Sequence, residues 1–167
     1  MPRAIDETFT PAEADWQRVS PKLTSARRAN LALTLVIPVV VGVVLFFVKG
    51  VPGWVPIVVI SATVALFLWG FWYFARRTAS WAYAERTDDL IVVHGFMFKR
   101  LVIVPYGRMQ LVDLAAGPID RAYGIATLQL HTAAATSDAK IPGLLPEVAA
   151  AMRDRLAQLG EQRAAGL

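Results

Sequence analysis

The chain contains no cysteine, which removes disulfide frameworks, thiolate nucleophiles and Cys-ligated metal sites and fits a reducing compartment. Histidine is nearly as scarce, with only His94 and His131. No internal repeat or low-complexity tract is present. The most telling absence is local: residues 30–48 and 55–74 hold no Asp, Glu, Lys or Arg, and only the short turn 49–54 separates them. A bilayer core about 30 Å thick requires roughly 20 apolar residues at about 1.5 Å per residue. Both runs meet that length, so a helical hairpin crossing a membrane is expected over 20–77. With no ionisable side chain inside either run, a proton or ion pathway is not expected. A cleaved signal peptide is not expected either, because about thirty largely polar residues precede a first run that is too long for one.

What is present organises around that hairpin. The 167 residues leave room for one domain beside it, and the net charge of +4 is concentrated at the ends of the runs. Ser20-Pro21 reads as a helix start, with Ser as N-cap and Pro in the first turn. Lys22, Arg27 and Arg28 flank the entry, Arg76 and Arg77 the exit, and the turn has only Lys49. By the positive-inside rule both termini are cytoplasmic and the protein resides in the cell (inner) membrane as a multi-pass protein. Trp54 on one side, with Trp72, Tyr73 and Trp81 on the other, suits aromatic belts at the two interfaces. Pro38 is a candidate kink. Gly42, Ser61, Ala62, Thr63 and Ala65 are expected to let the helices approach closely. Basic residues committed to the membrane leave no groove-reading element, so nucleic-acid binding is not expected.

After Arg77 the pattern changes to short segments with turn signals between them. Strands are expected at 81–86, 90–94, 101–104, 109–114, 126–132 and 138–141, with turns at 87–89 and Gly117-Pro118. Pro105-Tyr106-Gly107 breaks the pairing. The tail switches to helical spacing: Val148, Met152, Leu156 and Leu159 recur at intervals of four and three after Pro146, and the helix is expected to end near Gly160. The expected organisation is a flexible arm over 1–19, a transmembrane hairpin over 20–77 and a domain over 78–162. The fold class is an α+β membrane protein, a transmembrane hairpin followed by a partly open antiparallel β-barrel capped by a C-terminal amphipathic helix.

That barrel-plus-helix arrangement is the pleckstrin-homology (PH) architecture, and particular residues strengthen the likeness. Trp16-Gln17-Arg18-Val19-Ser20-Pro21-Lys22 precedes the hairpin, and Val104-Pro105-Tyr106-Gly107-Arg108-Met109-Gln110 with Val112-Asp113 follows it. Gly117-Pro118-Ile119-Asp120-Arg121, Leu130-His131-Thr132-Ala133 and Ile141-Pro142-Gly143-Leu144 come next, in order. In these segments the chain resembles the YdbS-like bacterial PH-domain membrane proteins, actinobacterial ones in particular, from about Trp16 to its end. The resemblance implies two membrane helices followed by a cytoplasmic bacterial PH domain of the second type. It implies no catalytic residues, cofactor or universal ligand, and it suggests assembly with a larger relative carrying several such domains.

His94 and His131 lie on expected strands without further metal ligands at suitable spacing, and no metal or cofactor is expected. Ser137, His131 and Asp138 make a triad only on paper, because no local nucleophile signature accompanies them. Pro105, Tyr106, Arg108, Gln110 and Asp113 form the most distinctive segment, either a structural bulge or a recognition corner for a protein partner. Lys99, Arg100 and Arg108 invite comparison with headgroup-clamping PH domains, but Asp88 and Asp89 at the first hairpin turn oppose phosphate. Arg27, Arg28, Arg76, Arg77, Lys99 and Arg100 are candidate contacts for lipid headgroups. The leading expectation is a non-enzymatic module that scaffolds a protein complex at the membrane, with a role in envelope maintenance or stress resistance. The alternative is a sensor of anionic lipid.

Overall fold

In the computed structural model, which describes residues 15–133 and 138–164, the order of elements follows the sequence closely. Strand β1 (Gln17–Arg18) leads into helices α1 (Lys22–Leu45) and α2 (Trp54–Ala79). Strands β2 (Ala82–Glu85), β3 (Asp89–His94) and β4 (Arg100–Pro105) follow. A single 3-10 turn, Tyr106–Arg108, connects them to β5 (Met109–Ala115). Helix α3 (Pro118–Ala122), strands β6 (Ala126–Thr132) and β7 (Ala139–Leu144) and helix α4 (Pro146–Ala164) complete the chain. Residues 1–14 of the expected arm and Ser137 lie outside the described residues.

The two long helices are apolar on nearly every side because nothing in the protein covers them. Only 6% of the apolar stretch of α1 and 17% of that of α2 is buried, the reverse of a soluble core helix. Ile37, Phe47, Trp54 and Leu68 are each more than 60% exposed, which is tolerable only against lipid. Hydroxyls within the runs bond to their own helix: Thr34 Oγ1 donates to Asn30 O at 2.8 Å and Thr63 Oγ1 to Val59 O at 2.7 Å. Pro38 lies inside α1 without ending it.

The helices meet through glycine. A Cβ on Gly42 would stand 2.7 Å from Ile60 Cγ1, and one on Gly70 would stand 2.5 Å from Leu31 Cδ2. Of the small residues singled out in sequence, Gly42 and Thr63 are buried, whereas Ser61, Ala62 and Ala65 face outward, and Gly70 takes their place. Gly42→Leu and Gly70→Leu are each expected to cost about 1–3 kcal/mol by overpacking the contact. Ala62→Leu, facing lipid, should stay within about 0.5 kcal/mol. Thermal unfolding in detergent reads all three, and equal losses at Ala62 and Gly42 would refute this packing.

The domain has two antiparallel sheets, ordered β1-β2-β3-β4 and β5-β6-β7, which strand pairing does not close into a barrel. β3 is buried along Leu90–Val93, on both faces, as its unbroken apolar run requires. Leu90, Val92, Val104, Tyr106, Leu128, Leu130 and Ile141 form the core with Ala149, Met152 and Leu156 of α4. Val19, Leu23 and Ala26 belong to the same core, so the first turns of α1 are part of the domain rather than a tether to it.

Several local expectations are corrected. Gln17–Arg18, inside the expected arm, pairs with β2 through Gln17↔Tyr83 and Arg18↔Ala82. Gly117-Pro118 opens one helical turn, with the Gly117 N–H donating to Asp120 Oδ2 at 3.3 Å, rather than a simple turn. β7 runs on through Pro142-Gly143, because it is an edge strand and its register shifts against Ala126–Leu128. In α4, Ala149 rather than Val148 faces the core, and the helix continues past Gly160, where Arg163 pairs with Asp88.

Candidate membrane-proximal site

β2 starts three residues after α2 ends and leads away from it, and β3 leads back, so the loop joining β3 to β4 returns to the end of α2. The contacts agree. Phe96 meets Trp72 edge-to-face with ring centroids 6.1 Å apart, and Trp81 stacks on His94 at 4.6 Å. Three of the basic residues at this level, Arg28, Arg76 and Arg77, lie over aromatic rings, whereas Arg27 has its Nη1 buried. The Arg28 guanidinium is 3.5 Å from the Phe71 centroid, and its Nη2 donates to Phe71 O at 3.2 Å, latching α1 to α2. Arg76 lies 4.8 Å from the Trp72 ring and 5.8 Å from Phe96, and Arg77 lies 5.9 Å from Tyr73. Burial, then the charges of Arg100 and Arg77, lowers the His94 pKa from its ordinary value.

Arg27, Arg28, Arg76 and Arg77 thus border the helix ends, and Lys99 and Arg100 join them through the β3–β4 loop. Arg108 does not: β4 carries the chain about 16 Å away from Arg100 before it is reached. The three basic residues compared with a headgroup clamp therefore do not converge. Beside His94 a cleft of about 270 Å³ opens between the sheets, lined by Trp81, Val92, His94, Val102, Asp138 and Lys140 among others.

At the end of the first sheet away from α2, Pro105 pairs with Asp89 and the Tyr106 N–H donates to Asp88 O at 3.1 Å. The corner then passes into β5. Pro105, Arg108 and Gln110 are exposed there, together with Ile103 and Leu111 at 46% and 52% exposure, and Asp113 is exposed further along β5. Tyr106 turns the other way, into the core at 1% exposure, and its hydroxyl donates to Arg86 O at 2.8 Å. The carboxylates of the first hairpin turn are engaged, Asp88 with Arg163 and Asp89 with Arg86 at 3.9 Å.

His131 Nδ1 lies 3.1 Å from Asp138 Oδ2, while Asp138 Oδ1 accepts the Thr132 N–H at 2.8 Å. That backbone bond, aided by His131, holds the Asp138 carboxyl below its usual range. The pair closes the end of the β6–β7 hairpin. Among the described residues no group of three His, Asp or Glu able to hold a metal occurs.

The residues that sequence reasoning passed over are Phe96, Met97 and Phe98. Three large apolar side chains in a turn, where polar residues normally stand, followed by Lys99-Arg100, were the available signal.

Two antiparallel sheets capped by a C-terminal helix and rooted in two apolar helices define a membrane-associated PH-like module. The chain belongs to the Bacterial PH domain family, whose profile matches residues 31–160. It is 34% identical over 83 residues to the UPF0699 transmembrane protein YdbS of Bacillus subtilis (strain 168), covering 50% of this chain and 51% of that protein. The chain thus spans about half the length of the curated relative it matches. No solved structure matches.

Proposed function

We propose that this YdbS-like membrane protein is a non-enzymatic interaction module, with both termini cytoplasmic, that scaffolds a protein complex at the inner face of the cell membrane. The observation that carries the reading is the unclosed pair of sheets. The edge strands β4 and β5 meet at a corner remote from the ends of α1 and α2 and backed by the C-terminal end of α4, with Pro105, Arg108 and Gln110 exposed near Ile103 and Leu111 and Asp113 further along β5. An open edge with apolar side chains suits strand addition by another polypeptide. Its position away from the bilayer suits a cytoplasmic partner, a second copy or a larger membrane protein with several such domains. The excess of Lys22, Arg27, Arg28, Arg76 and Arg77 over the single Lys49 supports the orientation. Envelope maintenance or stress resistance is the process such a location serves.

Residues 78–167 alone are a poor reagent, since Val19, Leu23 and Ala26 of the core would be missing. The full chain should be extracted with its native lipids into discs after photo-crosslinking from positions 110 and 113. The expected result is one stoichiometric protein, crosslinked at both positions. Discs containing lipid alone, with no crosslinked protein, would sink the scaffold reading.

The second reading, a sensor of anionic lipid, is favoured by the gathering of Arg28, Arg76 and Arg77 at the helix ends beside the loop that carries Lys99 and Arg100. It predicts enrichment of one anionic lipid in the same discs, lost on Arg76→Gln with Arg77→Gln. Against it, Arg28 is already held by the Phe71 carbonyl and ring.

A further inference from the structure

The β3–β4 loop presents the least expected surface of the domain. Met97 is 77% exposed and Phe98 87%, the highest value among the exposed large apolar side chains. The loop is not loosely draped. Gly95 has φ +113°, and a Cβ there would stand 1.9 Å from the Phe98 carbonyl oxygen, so the chain folds tightly back on itself and pushes the Phe98 ring outward. Its base is fixed to α2 by the edge-to-face contact of Phe96 with Trp72, and Arg76 lies over both rings.

That attachment sets the loop's depth. Trp72 precedes Arg76 by four residues, about 6 Å along a helix axis, so it lies on the bilayer side of the basic pair Arg76-Arg77. Trp69 and Tyr73, stacked 5.2 Å apart, belong to the same aromatic belt. A loop whose first aromatic residue packs on Trp72 has its tip at the boundary between headgroups and acyl chains. Apolar tips flanked by Lys and Arg are suited to that layer, which interfacial segments penetrate by about 5–10 Å.

We propose that Phe96-Met97-Phe98 is a membrane-inserted wedge that enters the leaflet from which α2 emerges, with Lys99 and Arg100 at the headgroups. The occupant of this apolar surface is phospholipid of the protein's own bilayer, because the surface is continuous with the lipid-facing wall of α2. The wedge gives the domain a third attachment, beside the two helices, and fixes its tilt so that the β4–β5 corner points away from the membrane. This holds whichever side the termini occupy and does not depend on the scaffold reading.

The absence of native cysteine makes the test direct. Single substitutions Phe98→Cys, Thr87→Cys and Leu68→Cys in the full chain would each carry a nitroxide, in bilayers of phosphatidylethanolamine and phosphatidylglycerol. Collision with oxygen, which concentrates in lipid, is compared with collision with a water-soluble nickel chelate. Leu68 is 63% exposed on α2 and serves as the lipid reference, and Thr87, in the β2–β3 turn, is the water reference. The nitroxide at Phe98 is expected to favour oxygen over the chelate several-fold more than the one at Thr87, approaching Leu68. A value equal to that at Thr87 would overturn the proposal. Shielding from both reagents would overturn it too, by placing a second copy or another protein on the loop.

Discussion

Gly143→Val is expected to destabilise the protein by about 2–5 kcal/mol, from strain at a left-handed backbone and from overpacking. Gly143 has φ +75°, and a Cβ there would stand 2.8 Å from Leu23 Cβ and 3.2 Å from Leu23 Cγ. Leu23 is not a flexible tip at this point, because its own Cβ is rooted in the first turn of α1 and its side chain is 4% exposed in the core. The Gly143 carbonyl also accepts the Ser20 N–H at 3.0 Å, so β7 and the start of α1 are bonded where they touch. Against a typical domain stability of roughly 5–15 kcal/mol, a loss of this size is a large fraction. Thermal unfolding in detergent is the measurement. In a double-mutant cycle, Leu23→Ala removes Cγ and Cδ2 but keeps the Cβ at 2.8 Å, so it should relieve only the outer part of the overlap, leave the rest with the backbone strain, and make the two costs fall modestly short of additive. Full additivity, or a melting temperature equal to that of the wild type, would show that α1 is not seated on β7 in this way.

This junction was only half legible in the sequence. The two spans could be read with ease, since a lipid core excludes charge over about 20 residues and leaves a mark in composition alone. The strands β3, β4 and β6 followed from apolar runs and alternation. What failed were features whose cause lies elsewhere in the chain. β1 is two residues long and exists because β2 offers an edge, which no local pattern in Gln17-Arg18 announces. Pro142-Gly143 looked like the end of a strand, yet an edge position and a register shift carry β7 through it. Val148 fitted the helical spacing but stays 43% exposed, because the sheets meet α4 on the face of Ala149, Met152 and Leu156.

The candidate sites divide in the same manner. Basic residues near the spans can be found by counting charge, but what each one touches cannot: Arg28 is held by the Phe71 carbonyl and ring, and Arg76 lies over Trp72. Whether Arg108 belonged with Arg100 depended on the direction of β4, which composition does not contain. In sequence, Phe96-Met97-Phe98 is an apolar triplet between strands, which local pattern alone does not distinguish from core. Only its position beside Trp72 gives it another meaning.

Tyr106→Ala is the second large effect, expected to cost about 3–5 kcal/mol for an emptied aromatic site. Among the distinctive residues Pro105, Tyr106, Arg108, Gln110 and Asp113, Tyr106 alone points inward. Its ring packs with the core shared by Leu90 and Val104, and its hydroxyl donates to Arg86 O at 2.8 Å. Burial, reinforced by the charges of Glu85 and Asp89, pushes its pKa up to about 12. Because the folded value lies above the unfolded one, roughly 10, the associated stability is intact below pH ~10 and is lost as pH rises toward the folded value. Tyr106→Phe should therefore cost only about 1 kcal/mol at pH 7 and should flatten the alkaline decline between those limits. Arg108→Glu, on the exposed side of the same corner, should leave stability within about 0.5 kcal/mol of wild type while weakening crosslinking from positions 110 and 113. A Tyr106→Ala protein that keeps its melting temperature would refute the division. With the ring holding the corner from within, the exposed edge can be altered without unfolding the domain behind it, and that separation is what makes partner binding at this edge testable by substitution.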